Sequence, residues 1–497
     1  MPASAIPSHP IVSADEVREL EKGLFAGDER KEWKAMLQAG RAVASALLAD
    51  FGEAGALPAR ARVLVLAGKG NNAGDALIAA NAILERIPGA SADVLFVFGP
   101  RRLRPLAARA WRGLAESARG RVRSVEASSL AVSYDIAIDG IFGFQFRPPL
   151  PREALDAIAA AARCSLRFRA AVDLPSGLGQ DGAFGADFTY ATGSVKDSLL
   201  GCANAGRPRY LDLGFFDGAH DDHGVDRVIL SSILGPLAGM RRGSSDKRSQ
   251  GHLAIVGGSG NFPGAILMTT MAALKSGVGL VTAFVPERLV PGYAARAPEA
   301  MWVGLPETPS GGLAAGGLAK VLKAAERASA IVFGPGLGRE PAAVALAKGI
   351  AKAAKVPLVI DADALQPDIV RLGKAPRILT PHAGEFKRIA EGMDLRRLSR
   401  TLKAVIIAKG PVTRVCDGGA VYHDFFGGPV LARGGSGDIL AGLTGGLLAQ
   451  TPGDPLLAAC RAAVWQGAAS DLLARSRGQT SVNIMELLAY LPSALRA

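Results

Sequence analysis

Residues 62–76 read RVLVLAGKGNNAGDA. Arg62–Ala67 is a short apolar run that suits a strand buried on both faces. Gly68 and Gly70 punctuate it, and helical spacing takes over from Ala73 to Arg86. A strand, a glycine turn and a helix start leave backbone N–H groups free to hold an anion. Upstream, Ala14–Lys22 and Glu29–Phe51 have helical spacing. Downstream, strands are expected at Asp93–Phe98, Asp135–Ile138 and Ala170–Asp173, with helices at Leu103–Arg119 and Pro151–Arg163. This alternation predicts an α/β fold of three layers, a mostly parallel sheet with helices on both faces.

The pattern breaks around Ser231–Ser249, which is rich in Gly, Ser and charge and reads as a linker. A second alternating run begins at His252–Val256. Further strands are expected at Leu280–Val285, Ala330–Phe333, Leu358–Ile360, Arg377–Leu379 and Val405–Ala408. Arg414–Tyr422, with Gly418-Gly419 inside it, suits a hairpin. Helices are expected from Gly437 and from Pro455 to the end. The expectation is two α/β domains, over residues 1–235 and 240–497.

Apolar residues make up 49% and charged residues 21%, which excludes a disordered or fibrous chain. The net charge of +12 suits either nucleic acid or phosphorylated small molecules. The Lys and Arg are scattered and aromatics are only 6%, so no nucleic-acid partner is expected. Cys164, Cys202, Cys416 and Cys460 are far apart, which argues against a zinc site or a disulfide framework. The opening MPASAIPSHP has no secretory pattern. The uncharged stretch Leu253–Leu274 is interrupted by Gly257, Gly258, Gly260 and Pro263, so no membrane span is expected. A soluble, cytoplasmic homo-oligomer is the expectation.

Three segments carry chemistry in the first half. Asn71-Asn72 and Asp75 follow the first glycine turn. Adjacent amides suit ribose, an amide or a cation, but an ordinary helix cap fits as well. Asp139 closes YDIAID, and Asp173 closes AAVD before Leu174-Pro175-Ser176-Gly177. In an open parallel sheet such strand ends line the ligand crevice. With Asn72 and Ser176 they form a set of oxygen ligands suited to a weakly held cation or to proton transfer, or they are simply two caps.

The second half has six glycine-rich or polar strand ends. These are GGSGNFPGA (257–265), FGPGLG (333–338), VIDAD (359–363), LTPHAGE (379–385), IAKGPVT (407–413) and ARGGSGD (432–438). Gly434–Gly437 can aim several N–H groups at one point, at the positive end of a helix. Asp438 stands there, able to take a proton from a hydroxyl while the amides stabilise a phosphoryl group. Lys409 reads as a phosphate contact or a solvent lysine, and His382 as a ligand contact or a satisfied structural group. Asp361 and Asp363 read as metal ligands or turn caps.

KGNNAGDA, DGIFGF, AVDLPSGL and ATGSVKDSLL resemble, in their order, the YjeF N-terminal family of NAD(P)HX epimerases over roughly residues 10–230. The resemblance implies a Rossmann-like domain in which Asn71, Asn72, Ala73, Gly74 and Asp75 hold the hydrated nicotinamide nucleotide. It implies Gly143 and Asp173 at the substrate, Asp173 in proton transfer, and K+ held by Asn72, Asp139 and Ser176. Departures are Ala73 and Ala76 where the family has glycines, and Phe144-Gln145 after Gly143. Lys196-Asp197-Ser198 stands for the family's Lys-Pro-Gly. A merely structural first half therefore stays open.

The six motifs of the second half resemble the YjeF C-terminal family, ADP- or ATP-dependent NAD(P)HX dehydratases of ribokinase-like fold. That resemblance implies Ala265, Gly338, His382 and Asp438 at the hydrated nucleotide. It implies Lys409, Gly410, Pro411, Val412, Thr413 and Gly437 at the adenine nucleotide, Asp438 as the base, and Mg2+ with the nucleotide. Gly428-Pro429 replaces the family's Asn-Pro. The rival expectations are a ribokinase-like kinase for a small alcohol, and a nucleotide-binding scaffold.

Overall fold

The computed structural model describes residues 5–217 and 225–496. The first four residues of MPASAIPSHP and the last residue lie outside them. The chain forms two compact units, one built on His9–Gly224 with Ala474–Gly478, the other on Val225–Leu473 with Gln479–Ala497.

The first unit carries a seven-stranded parallel sheet. Its order is Val122–Ser124, Ser91–Phe96, Arg62–Ala67, Ser133–Gly140, Ser165–Val172, Phe188–Thr192 and Arg207–Leu211. Alternation along Arg62–Ala67 feeds two cores. Val63, Val65 and Ala67 pack with Leu47, Leu77 and Leu114 on one face, and Leu64 and Leu66 with Ala154 and Ile158 on the other. That is the expected three-layer arrangement. From Arg62–Ala67 the chain adds strands on one side, then returns to add Ser133–Gly140 on the other. This reversal opens a crevice at the C-terminal strand ends.

Several strands depart from the sequence expectation. Ser165–Val172 begins well before Ala170 because Arg167 and Arg169, which look solvent-bound, pair with Asp135 at 3.1 Å and Asp187 at 2.8 Å. Phe188–Thr192 and Arg207–Leu211 were not anticipated, being short runs set among Gly, Asp and Pro. A further short pair, Ser8–Val12 with Val195–Lys196, runs parallel.

The second unit has a sheet in the order Met301–Leu305, Leu280–Pro286, His252–Val256, Ala330–Phe333, Leu358–Ile360, Arg377–Leu379, Val405–Ala408, Thr413–Cys416, Val421–Asp424 and Asp226–Ile229. Its first seven strands are parallel and show the same reversal beside His252–Val256. The expected hairpin is present, with Arg414 opposite His423 in antiparallel register. Asp226–Ile229 pairs with Val421–Asp424, so the chain joins this sheet upstream of residues 231–249. The last helical stretch is two helices, Pro455–Arg477 and Leu487–Ala494, parted after Gly478 in the left-handed region. Leu253–Leu274 is a strand end, a loop and most of helix Pro263–Lys275. Among the described residues no helix is long and apolar enough to cross a membrane.

Two candidate active sites

In the first unit, helix Asn71–Arg86 starts at the crevice. Its N-cap, Gly70, has no side chain to offer, so the first N–H groups stay available. Asn72 is buried and its Nδ2 donates to the carbonyls of Phe142 at 2.7 Å and Val172 at 3.0 Å. This ties the helix start to two neighbouring strand ends. Asp139 is fully buried and accepts from Ser176 N and Oγ, both at 2.7 Å, and from Ile141 N at 3.1 Å. Burial pushes its carboxyl up to about 6, against the pull of those donors. Asp139 and Ser176 thus bond each other directly, and Asn72 joins them through Phe142, whose N–H donates to Ser176 Oγ at 3.0 Å.

Asp173 lies just past strand Ser165–Val172 with φ +65°, in the left-handed region that Asp tolerates better than most residues. It is buried and forms an ion pair with the buried Lys196. Its other oxygen accepts from Phe144 N at 3.3 Å. An ideal Cβ on Gly143 would stand 3.1 Å from Asp173 and 3.3 Å from Asn72, so a larger side chain there would press on both. The departure at Phe144 is therefore built into the site: its N–H serves Asp173 and its ring lies 5.5 Å from the Lys196 ammonium.

These groups line a cleft of about 370 Å³ that also includes Glu21, Lys69, Asn71, Asp75 and Arg104. Asp75 is buried, and burial together with Asp173 and Glu21 raises its carboxyl well above the usual range. Burial, then Asp173, pushes Glu21 up to about 7. Lys69 lies 4.3 Å from the Phe98 ring centre. A floor of carboxyls beside one buried lysine, with Lys69 and Arg104 as further cations, suits a ligand with a polar reactive ring and an anionic tail. Ala73 and Gly74 are also buried in the first turn of that helix. Sequence reasoning missed Glu21, Arg104 and the pairing role of Lys196. Lys196 stood within a quoted motif, but only the fold brings it to Asp173.

In the second unit, the expected site residues lie past C-terminal strand ends of one sheet, except Thr413, which opens strand Thr413–Cys416. Gly334 has φ +117°, and a Cβ there would stand 1.9 Å from the Asp361 carbonyl oxygen, so only glycine lets these two strand ends meet. Gly258 N donates to Pro335 O at 2.8 Å, and Ala265 packs near Gly336. Gly338 N donates to Asp363 at 3.0 Å, and Arg339 pairs with the same carboxylate at 3.2 Å. His382 caps helix Ala383–Ala390. Its Nδ1 accepts from Gly384 N at 3.0 Å, while Glu385 accepts from His382 N at 2.8 Å. The ring is otherwise well exposed, and its Nε2 stands 3.4 Å from Glu385 Oε1.

Lys409 closes the constellation. Its N–H donates to Pro381 O at 2.9 Å, and its ammonium stands 3.3 Å from Asp361 and 3.9 Å from Glu385. Asp361 also accepts from Thr380 Oγ1 at 2.5 Å. Asp361 and Asp363 thus spend oxygens on groups from other loops, and Asp361 makes no side-chain cap of its own turn. A Cβ on Gly437 would stand 3.1 Å from the Lys409 ammonium. In the loop from Lys409 to Thr413, Gly410 and Pro411 are exposed, and Lys409, Val412 and Thr413 are half-buried. Helix Ser436–Gln450 begins at Gly435, φ +94°, with no side-chain cap, so its free N–H groups face this point. Asp438 sits in the first turn. Burial first, then Asp361, pushes its carboxyl up to about 7 against the pull of Lys409.

Arg433 braces this loop. Its guanidinium donates to the carbonyls of Gln479 and Thr480, both at 2.6 Å, and of Val482 at 3.0 Å. Gln466 donates to Ser436 O at 2.7 Å from helix Pro455–Arg477.

Two α/β units, each with a glycine-lined crevice at a strand reversal and each with a perturbed carboxyl beside a lysine, define a two-part nucleotide-handling enzyme. Residues 33–197 match the family described as YjeF-related protein N-terminus, and residues 253–493 match NAD(P)H-hydrate dehydratase. The bifunctional NAD(P)H-hydrate repair enzyme Nnr of Moorella thermoacetica is 34% identical over 88% of both chains. That of Gloeobacter violaceus is 37% identical over 93% of both. The chain belongs to the family of bifunctional NAD(P)H-hydrate repair enzymes. Among solved structures, the ADP/ATP-dependent NAD(P)H-hydrate dehydratase from Bacillus subtilis, co-crystallised with ATP/Mg2+, is 26% identical. It covers 55% of this chain and 99% of its own, with a TM-score of 0.47.

Proposed function

We propose that this chain repairs hydrated nicotinamide nucleotides in two steps. The first half interconverts the R and S epimers of NAD(P)HX, and the second dehydrates the S epimer at the expense of ADP or ATP. The observation that carries the reading is Asp438 in the first turn of an uncapped helix, with Lys409 beside Gly437, in a chain of this family.

In the second unit the nucleotide phosphates lie on the N–H groups of Gly434–Gly437 and on Lys409. Asp438 takes the proton of the C6 hydroxyl. The oxygen attacks the terminal phosphoryl group, forming O–P and breaking the bond to the departing nucleotide. The C6–O bond then breaks with loss of phosphate as a C5 proton leaves, restoring the dihydropyridine ring. Mg2+ comes with the nucleotide phosphates.

In the first unit, K+ suits Asn72, Asp139 and Ser176. Their donors are all oxygen, and Asp139 is a buried carboxyl with no Lys or Arg paired to it among the described residues. Bound there, K+ would neutralise charge. Asn72 and Asp75 orient the ring, and Asp173, held by Lys196 and Phe144 N, moves the proton. The part that Phe144 plays supports an active first half rather than a merely structural one.

The test is incubation with mixed NADHX epimers and ADP or ATP. Consumption of both epimers is expected. Consumption of the S epimer alone removes the epimerase, and accumulation of a stable phosphorylated substrate makes the second half a kinase. Equal epimerisation in sodium-only and potassium buffers removes the K+ role.

A further inference from the structure

Inversion at C6 poses a problem that one carboxylate does not solve. The hydroxyl of the R epimer and that of the S epimer project from opposite faces of the ring. If the hydroxyl leaves as water from one face and water returns to the other, one group must give a proton and a second must accept one. Resting on the epimerase reading above, we propose that Glu21 is the second acid–base group of the first unit's site, serving the ring face that Asp173 does not.

Glu21 comes from helix Ala14–Phe25, a different element from the strand that carries Asp173. It lines the same cleft. It also lines the larger cleft of about 610 Å³ that continues from it past Phe25, Met36 and Phe215. Its nearest basic neighbours on the same helix are committed elsewhere, Arg18 to Asp15 at 2.7 Å and Lys22 to Glu19 at 3.7 Å. No hydrogen bond or ion pair of Glu21 is found among the described residues, so both its oxygens are free for substrate. Asp75, about nine-tenths buried and likewise without a hydrogen bond, marks the floor between them as a place that a ligand completes.

The surroundings set the two carboxyls apart. Asp173 is paired with Lys196. Glu21 feels burial and the charges of Asp173, Lys196 and Glu32, which leave it near 7 and able to act in either direction at neutral pH. Glu29, Lys69, Arg104 and Arg147 are the other charged groups lining these clefts around it.

The step balances. For one direction, the Glu21 carboxyl gives its proton to the C6 hydroxyl. The C6–O bond breaks, its pair leaves with water, and the ring nitrogen pair forms N1=C6. Water then adds to the opposite face, C6–O forms, and Asp173 takes the proton. The return direction exchanges the roles. Net, the oxygen at C6 is replaced by one from solvent, and the site regains its protonation through bulk water.

The experiment uses the full chain without ADP or ATP, so that dehydration is idle, with purified R epimer in 18O-water. Wild type is expected to give S epimer carrying solvent oxygen. Glu21→Gln is expected to lose on the order of 100-fold or more in kcat, with KM within about twofold and the inflection near pH 7 gone. Glu21→Asp should recover part of kcat, which a packing defect would not. An active wild type with Glu21→Gln turning over at a similar rate overturns the role of Glu21 alone, as does S epimer that keeps its original oxygen. A wild type no faster than spontaneous epimerisation overturns the epimerase reading and this proposal together.

Discussion

Replacing Asp438 by Asn separates what this carboxyl does for the reaction from what it costs the fold. Burial and Asp361 lift its pKa from the ordinary 3.8 to about 7. Between those values the folded state keeps a proton that the unfolded chain has released. Stability therefore falls as pH rises through that window and is level above about 7. Three units correspond to about 4 kcal/mol, and discounting by half for the partly exposed side chain leaves ~2 kcal/mol. Asn does not titrate. The stability gap between Asp438→Asn and wild type should therefore widen by ~1 kcal/mol between about pH 5.5 and 8. In a unit of roughly 250 residues that is about 2–4 °C in Tm, with the variant the more stable at the higher pH. Scanning calorimetry of the full chain at both pH values reads it. In parallel, dehydration should fall by about 10²–10⁴-fold while ADP still binds. Wild-type dehydration should itself decline as pH drops below about 7, because the base must be ionised. A Tm gap that does not change with pH, or an Asn variant that melts lower at pH 8, would refute the argument; wild-type turnover would remove Asp438 from the mechanism.

Gly334→Ala places a methyl 1.9 Å from the Asp361 carbonyl at φ +117°. It should cost several kcal/mol, of order 3 or more, seen as loss of soluble protein or a sharply lowered Tm. Arg433→Met removes three hydrogen bonds to the carbonyls of Gln479, Thr480 and Val482. At about 1 kcal/mol each, partly offset by hydration, ~2 kcal/mol of loop order is lost, and nucleotide KM should rise about 10–30-fold. An unchanged KM would show that the loop holds its shape unaided. Lys196→Met leaves Asp173 buried without its cation. Epimerisation should fall at least tenfold at neutral pH, measured on the R epimer.

The fold was largely legible. Where strands were buried runs of aliphatics, as at Arg62–Ala67 and Ala330–Phe333, the pattern alone sufficed. It failed where polar residues serve the sheet. Arg167 and Arg169 hide a strand because their ion pairs are made with Asp135 and Asp187, distant in sequence. The sites were legible as motifs but not as circuits. Asn72, Asp139, Asp173 and Ser176 could be grouped because each stands at or just past a strand end or in the first turn of a helix at the crevice. Glu21 could not, since a glutamate on an early amphipathic helix looks like any solvated one until the fold lays that helix across the cleft. His382 offered two readings, and the structure holds one nitrogen as a cap and sets the other 3.4 Å from Glu385 on a ring that is otherwise exposed. Asp361 and Asp363 read equally as metal ligands or caps, because the bonds that engage them come from Thr380, Lys409, Gly338 and Arg339 on other loops.

The backbone of Asp173 decides how its chemistry should be probed. At φ +65° alanine would add left-handed strain of about 1–2 kcal/mol on top of the missing carboxylate, so an inactive Ala variant would confuse a bent loop with a missing base. Asparagine shares the aspartate's tolerance of that geometry and nearly its shape. It is the substitution that silences the group while leaving the loop where it stands.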